Sequence, residues 1–275
     1  MKPLSGFVAI ITGASRGIGR AIALGLAREG CGVVIAAKSI QSTDKLPGSI
    51  HTVAAEVEAL GGKALAIQVD LRDETQIQAM TTQTLERFGR IDLLVNNAGA
   101  AYWQGILDTP AKRFDLVMGV NARAAFLCSQ AVLPSMIKQG RGQIINMSPP
   151  LDLEFVPGRI AYAISKLGMT LLTHGLAEEV RGHNIAVNSL WPATLIESQA
   201  SINMGLGTRE QWRKPDILVD CVLRLAQQEL ATITGQTLID EDFLRSQGVT
   251  EFNAYACVPG TIPPRLTWPR APKAN

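Results

Sequence analysis

Two residues in the second half of the chain have the types and spacing that proton transfer needs. Tyr162 and Lys166 stand four positions apart in "AYAISK", so they lie on one face of a predicted helix. A tyrosine has an ordinary pKa of about 10, and a neighbouring cation favours the phenolate. The pair predicts an acid–base catalyst in which Tyr162 exchanges the proton and Lys166 lowers its pKa. A half-buried aromatic beside a lysine is the alternative interpretation.

The segment "INMSPP" leaves open whether a serine hydroxyl stands beside this pair. Ser148 follows a predicted strand and precedes Pro149 and Pro150. In a regular strand, neighbouring side chains point to opposite faces, and Ser148 would then face away from the pocket. The prolines favour a stiff extended or bulged exit, and one bulge would turn Ser148 back. We predict that Ser148 supplies the hydroxyl; its alternative role is a bond to local backbone.

A glycine-rich turn near the N-terminus predicts a nucleotide site. Gly13, Gly17 and Gly19 stand in "TGASRGIGRAIALGLA", between a predicted strand and an amphipathic helix. Glycines let the backbone turn sharply and approach a pyrophosphate, and the helix N-terminus offers free N–H groups. We predict a dinucleotide site that includes Ser15 and Ile18 of the same loop. A tight strand-to-helix turn without a ligand is the alternative.

The residues expected beside the adenosine ribose are cationic. The second predicted strand ends in "VVIAAKS", with Lys38 and no carboxylate, and Arg16 lies in the glycine loop. An acidic residue at this place usually holds the 2′-hydroxyl of NAD, whereas cations suit the 2′-phosphate of NADP. We therefore predict NADP(H) as the cofactor. Two solvated surface cations are the alternative.

Short apolar segments alternate with helical patterns along most of the chain. Strands are predicted at "FVAIIT", "GVVIAA", "ALAIQV", "IDLLV", "GQIINM", "NIAVNSL" and "QTLI", with helices over 17–29, 51–60, 73–88, 107–138, 160–180 and 214–228. Strands this apolar indicate a sheet covered on both faces, and the alternation indicates parallel β–α–β units. The predicted fold is a single doubly wound, Rossmann-type α/β domain.

The order and spacing of these motifs resemble the short-chain dehydrogenase/reductase family. The pattern TGxxxGxG occurs at the glycine loop, and "VDLRD", "NNAG", "VNARAAF" and the Tyr-x-x-x-Lys pair follow in order, to about residue 258. The resemblance implies a seven-stranded parallel sheet of order 3-2-1-4-5-6-7 with helices on both faces. It also implies hydride exchange with a carbonyl or a secondary alcohol.

The resemblance implies further site residues. Asp70 and Leu71 would line the adenine pocket, and Asn97, Ala98 and Gly99 the ribose side. A strand-end turn is the alternative interpretation of "NNAG".

By the same resemblance Tyr162 and Lys166 would also contact the cofactor, with Lys166 holding the nicotinamide ribose, and Asn121 would join the catalytic group. It would bend or hydrate its long helix and link Lys166 to solvent, or else serve as a structural residue that satisfies a neighbouring carbonyl. After the sixth strand the family has Pro-Gly beside the nicotinamide, whereas this chain has Pro192 and Ala193, with Ile196 as a candidate contact of the carboxamide. The alanine implies a φ below zero or some strain.

Composition bears on the remaining classes of function. The 275 residues are 47% hydrophobic with a net charge of +2 and no basic run, so neither nucleic acid nor membrane is an expected partner. The four cysteines form no CxxC pair and no leader is expected, which predicts a reducing, cytoplasmic location. The domain is predicted over 1–258. Five prolines then predict an extended arm over 259–275, with a disordered tail as the alternative.

Large apolar residues fall on loops at the carboxyl edge of the predicted sheet, where pockets of open α/β sheets form. They are Trp103, Leu151, Phe155, Trp191, Met204, Leu206 and Trp212. They suit a lipophilic small-molecule substrate of steroid or fatty-acyl shape, and equally the packing of a lid over 197–210.

Assembly and activity follow as expectations. The helices at 107–138 and 160–180 are apolar over more of their circumference than one sheet covers, which predicts a homo-dimer or homo-tetramer. Two functions remain: an NADP(H)-dependent oxidoreductase, and a cofactor-binding sensor or scaffold with little turnover.

Overall fold

A computed structural model of the chain describes residues 2–44, 46–150, 156–230 and 232–266. Seven strands form one parallel sheet of order β3-β2-β1-β4-β5-β6-β9, and a separate two-stranded pair is formed by β7 and β8. The strands are β1 (Val8–Thr12), β2 (Gly32–Ala37), β3 (Lys63–Gln68), β4 (Leu93–Asn96), β5 (Gly142–Asn146), β6 (Ile185–Trp191), β7 (Leu195–Ile196), β8 (Trp212–Arg213) and β9 (Thr237–Ile239). Every pairing in the large sheet is parallel. The predicted doubly wound topology is confirmed.

Helices connect these strands on both sides of the sheet. They are α1 (Gly17–Arg28), α2 (Ile50–Ala59), α3 (Glu74–Phe88), α4 (Ala111–Met118), α5 (Ala124–Gln139), α6 (Ile160–Glu179), α7 (Gln199–Asn203), α8 (Asp216–Gln227) and α9 (Asp240–Ser246). The strands are apolar at successive positions because both faces are buried: in β1, Ala9 and Ile11 belong to one core cluster, and Val8 and Ile10 to the other.

The long helix differs from its prediction in two places. It starts at Ala111 rather than at residue 107, because Pro110 disfavours helical geometry at the residue before it. It also contains a π-helical turn, Gly119–Arg123. Among the described residues, the stretch Ala111–Gln139 has the length and mean hydropathy (1.4) of a membrane span, but 44% of that window is buried in the protein. It packs as a core helix of the α/β domain.

The segment between β6 and α8 contains short elements that the sequence did not predict. Strand β7 pairs with β8, and α7 lies between them in the chain. Arg213 of β8 also forms an antiparallel bridge with Ala256. The arm turns at 259–260, where Gly260 has a φ of +83°, and has no regular secondary structure over 261–266, where the N–H of Leu266 donates to the carbonyl of Ala193. Residues 267–275 lie outside the described residues, so the extended arm over 259–275 stays a prediction.

Candidate active site

The glycine turn brings the ends of β1 and β4 into close contact. Gly13 has a φ of +66°, and a Cβ on it would stand 2.8 Å from the Cα of Ala98. A Cβ on Gly19 would stand 2.5 Å from Nδ2 of Asn97. Any side chain at these positions would force the two strand ends apart. Helix α1 begins at Gly17, and within the described part of the chain no side chain caps its first N–H groups.

A cleft of about 470 Å³ opens at this edge of the sheet. Most of the predicted cofactor residues line it: Gly13, Ser15, Arg16, Gly17, Ile18, Gly19, Lys38, Asp70, Leu71, Asn97, Ala98 and Gly99. The wall also includes residues that the sequence did not single out, namely Ser39, Leu46, Val120, Ser198, Gln199, Ala200 and Asn203. Four of these belong to α7 and its cap, a helix too short to show a periodic pattern. The predicted contacts Tyr162, Lys166, Pro192 and Ile196 lie beyond this wall.

The two predicted ribose-side cations line the cleft and are bonded to protein acceptors. Lys38 Nζ lies 3.2 Å from Asp70 Oδ2, and Arg72 Nη2 lies 2.6 Å from the same oxygen. Hydrogen bonding from Arg72, with a smaller effect of Lys38, holds the pKa of Asp70 well below its usual value. Arg16 donates to the carbonyl of Gly48 (2.9 Å). Neither cation is therefore merely solvated.

Asn121 lies in the π-helical turn and joins three segments. Its Nδ2 donates to Ala100 O (2.9 Å) and to Ser165 Oγ (2.8 Å), and its Oδ1 accepts the N–H of Ala100 (2.8 Å). Ser165 in turn donates to the carbonyl of Tyr162 (2.8 Å). The fully buried amide thus satisfies neighbouring backbone, as its structural interpretation expects, and also connects the end of β4 to α6. Single π-turns are frequent at functional sites.

Lys166 is buried, and its ammonium group lies near Gly99, as does the amide oxygen of Asn121. Nζ donates to the carbonyl of Met147 (2.7 Å) and lies 5.6 Å from the centre of the Trp191 ring. A Cβ on Gly99 would stand 3.7 Å from Lys166 Nζ and 3.5 Å from Asn121 Oδ1. Burial lowers the pKa of Lys166 to about 8. Both residues therefore converge on Gly99, which also lines the cleft.

Tyr162 is half-buried at the start of α6 and packs edge-on against Trp103. The two ring centroids are 6.0 Å apart, and the Arg159 guanidinium lies 5.0 Å from the Trp103 centroid. Burial raises the pKa of Tyr162 above its ordinary value, and the positive charge that opposes this rise is that of Arg159. Desolvation of the phenolate outweighs the attraction of Arg159, and the lowering of the Tyr162 pKa by Lys166 stays a prediction. Arg159 is not among the residues that the sequence predicted for the site.

Ser148 lies just beyond β5 in a tight turn. Its N–H donates to the carbonyl of Asn146 (2.9 Å), so the chain leaves regular strand geometry, as the prolines predict. The side chain is fully buried, and its Oγ has no hydrogen-bond partner among the described residues. The carbonyl of Pro149 is held by Thr170 Oγ1 (2.6 Å). An unpaired buried hydroxyl costs about 1–3 kcal/mol, which a ligand acceptor would relieve.

The predicted substrate-side residues fall into two groups. Trp103 and Trp191 lie beside Tyr162 and Lys166, and each has a buried indole N–H without a partner in the described segments. Trp212 instead packs against the segment 197–210, because its Nε1 donates to the carbonyl of Leu206 (2.6 Å). The others are Met204, which is exposed, and Leu151 and Phe155, which lie outside the described residues.

The loop after β6 runs from the catalytic residues to the cleft. Trp191 ends β6 beside Lys166, and the cleft wall resumes at Ser198. Between them, Ala193 is buried and its N–H donates to Asp240 Oδ1 (2.8 Å). The φ of Ala193 is below zero, so the alanine in place of the expected glycine brings no left-handed strain.

Comparison with known proteins agrees with this geometry. Residues 7–204 match the short chain dehydrogenase family, and the chain belongs to the short-chain dehydrogenase/reductase family of oxidoreductases. A short chain dehydrogenase of Mycobacterium thermoresistibile is 38% identical, with a TM-score of 0.90 over 98% of both chains. A metagenomic short-chain oxidoreductase solved in complex with NADP is 33% identical, with a TM-score of 0.74 over 86% of this chain and 97% of that one.

Two curated relatives are hydroxysteroid dehydrogenase-like protein 2 of Danio rerio and of Homo sapiens. Each is 47% identical, over 261 and 260 residues respectively. The match covers 94% of this chain and 62% of each relative, so the chain spans less than two thirds of their length. The segments "VIAAKSIQSTDKLPGSIHTVAAEVEALGGKA", "WPATLIES" and "SPP" predict a likeness to the dehydrogenase domain of that protein. The likeness is confirmed.

Proposed function

We propose that the protein is an NADP(H)-dependent oxidoreductase that exchanges a hydride with a carbonyl or secondary alcohol of a lipophilic small molecule. One observation carries the proposal: Lys166 and Asn121 converge on Gly99, a residue of the cleft wall. The cleft for a nucleotide and the acid–base residues therefore meet at one backbone position. The cations Arg16 and Lys38 in the cleft support NADP(H), as does the relative solved with NADP.

The residues present fit such a cofactor. Gly13 and Gly19 leave no space for a Cβ against Ala98 and Asn97, which is the tight turn and close helix–strand packing of a dinucleotide site, and Gly17 between them faces the cleft with a φ of +56°. The N-terminus of α1 adds partial positive charge at the same turn. The bound cofactor would supply or accept the hydride.

The chain itself would handle the proton and the developing charge. When a carbonyl is reduced, its oxygen takes a proton, which Tyr162 would donate. Ser148 Oγ, buried and without a partner in the described chain, would donate a hydrogen bond to the oxygen as negative charge develops. Lys166 would hold the nicotinamide ribose and add positive charge. Asn121, through Ser165, would keep α6 in register with the end of β4.

The raised pKa of Tyr162 bears on its role in each direction of reaction. A phenol with a pKa above its ordinary value is protonated near neutral pH, so Tyr162 is ready to act as an acid in carbonyl reduction. To act as a base on an alcohol it must lose that proton, which the charges of Arg159 and Lys166 favour and burial opposes. Tyr162 would therefore be the acid in the reduction and, as phenolate, the base in the oxidation, and the concentrations of substrate and cofactor set the direction.

Assembly and location complete the proposal. Phe126 of α5 and Leu171 of α6 are 52% and 61% exposed, and a groove between these two helices is lined in part by Phe126 and Leu172. This apolar face supports a homo-dimer or homo-tetramer. The four cysteines are buried free thiols, which supports a reducing, cytoplasmic compartment.

The test is NADPH consumption with a panel of quinones, diketones, steroids and acyl ketones, with Tyr162→Phe as the matched control. The variant keeps the ring but loses the proton donor, so turnover should fall at least ~10²-fold while cofactor affinity hardly changes. Full activity of Tyr162→Phe would refute the assignment. Tight NADPH binding without consumption of any substrate would favour the sensor or scaffold function.

A further inference from the structure

The C-terminal arm reaches back to the loop that follows β6. The N–H of Leu266 donates to the carbonyl of Ala193 at 2.7 Å. On the other side of the same residue, the N–H of Ala193 donates to Asp240 Oδ1 at 2.8 Å. Both backbone polar groups of Ala193 are therefore held by residues from distant parts of the chain.

The two residues that bond to Ala193, Asp240 and Leu266, are both connected to the first turn of α9. Asp240 is fully buried, and its Oδ1 also accepts the N–H of Glu241 (2.6 Å). Arg265, next to Leu266, makes two bonds to the carboxylate of Asp242 (2.8 and 2.6 Å). Glu241, between these two acidic residues, also pairs with the buried Arg213 of β8 (2.7 Å). The three consecutive acidic residues 240–242 therefore bond to the loop after β6, to β8 and to the C-terminal arm.

Ala193 stands between the catalytic residues and the cleft wall. Two residues before it, Trp191 lies beside Lys166, and the wall of the cleft resumes at Ser198. The adenosine end of the cleft is built instead from the ends of β1, β2 and β3, which Ala193 does not form. A shift of Ala193 would therefore move backbone at the catalytic end of the cleft and leave the adenosine end in place.

We propose that Leu266 and Asp240 form a clamp on Ala193 that positions the loop 192–196 against the nicotinamide half of the bound cofactor. Both are positioning residues, since they act through Ala193. The inference rests on the proposed cofactor function. A loop held from both sides is preorganised, so cofactor binding does not carry the free-energy cost of ordering it.

One pair of variants isolates the hydrogen bond of the arm. Leu266→Pro removes the backbone N–H, whereas Leu266→Ala keeps the N–H and removes the side chain. Dissociation constants are measured calorimetrically for NADP⁺ and for adenosine 2′,5′-bisphosphate, which lacks the nicotinamide. Leu266→Pro should bind NADP⁺ ~3- to 10-fold more weakly and the bisphosphate as tightly as wild type. Leu266→Ala should resemble wild type with both ligands.

If Leu266→Pro fails to fold, a second pair of variants tests the clamp through the other hydrogen bond, between Ala193 N–H and Asp240. Asp240→Ala removes the acceptor for Ala193 N–H and should selectively weaken NADP⁺ binding, whereas Asp240→Asn retains an oxygen acceptor and should restore most of the affinity. Wild-type NADP⁺ affinity in Leu266→Pro or in Asp240→Ala overturns the clamp. So does equal weakening of both ligands, which indicates general loosening. A wild-type chain that binds neither ligand overturns the proposed function itself, and the clamp with it.

Discussion

Asp240 should make the folded protein less stable as the pH rises towards neutrality. Burial raises the pKa of this carboxyl from 3.8 to about 6, and the N–H groups of Ala193 and Glu241 and the charge of Arg213 offset only part of the rise. The folded state therefore binds this proton more tightly than the unfolded state does. The resulting stabilisation is complete below about pH 4 and is lost as the pH rises through about 6.

The size of the effect follows from the pKa difference. A rise of about two units corresponds to roughly 3 kcal/mol of stability between the low-pH and the neutral limits. About half of this, roughly 1.4 kcal/mol, falls between about pH 5 and about pH 7.5, since the carboxyl is already mostly ionised at pH 5 in the unfolded chain. Asp240 is fully buried, so solvent screening does not reduce this value much.

The assay is urea denaturation of the wild type and of Asp240→Asn at these two pH values. Asn cannot ionise, and any fixed cost of its amide cancels when each protein is compared with itself. Among the described residues, the other ionisable or charged groups that act on Asp240 are Arg213 on β8, Glu241 on α9, Cys221 on α8 and Arg265 of the arm. They are common to both proteins. The unfolding free energy of the wild type should fall by roughly 1.4 kcal/mol more than that of the variant. Equal pH dependence in the two proteins would refute the reasoning.

Three further predictions concern the cofactor, the serine and assembly. Lys38→Glu should erase or reverse an at least ~10-fold preference for NADP(H) over NAD(H) in calorimetry, because it replaces a phosphate contact by repulsion; equal wild-type affinities would contradict the roles of Lys38 and Arg16. Ser148→Ala should lower turnover ~10²-fold by removing a donor to the developing oxyanion, and near-full activity would show that no serine serves there. Light scattering should find a dimer or tetramer that Leu171→Glu disrupts; a wild-type monomer at micromolar concentration would exclude it.

Regular elements and the glycine loop were predictable because their signals are local. Apolar runs of four to seven residues between helical patterns show a sheet buried on both faces, and glycines at a strand-to-helix turn show a backbone that must approach its neighbours closely. In the structure Ala98 lies so close to Gly13 that a Cβ on the glycine would clash with it. The predicted start of the long helix at residue 107 was wrong because a 3-10 turn (Ile106–Asp108) and Pro110 interrupt the helical pattern there.

The parts that the sequence did not reveal depend on contacts between distant residues. Helix α7 is five residues long, so it shows no period, yet Asn203 and its neighbours line the cleft. Arg159 is an exception, because it stands only three residues before Tyr162, at the N-cap of α6, and its charge acts on Tyr162 directly. The direction of the Tyr162 pKa also could not be read from the Tyr–Lys spacing, because it depends on how completely water is removed from the phenol.

The sequence by itself determined the family, the parallel sheet and the identities of the residues that could do the chemistry, because composition, periodicity and motif order are properties of the chain. Tertiary structure decided how those residues are used. It brought the polar ends of Lys166 and Asn121 close to Gly99, and it left Ser148 Oγ buried without a partner in the described chain. It also brought the arm onto Ala193. Distances and burial of this kind arise only when segments far apart in sequence pack together, which is why local patterns could name the residues and not their environment.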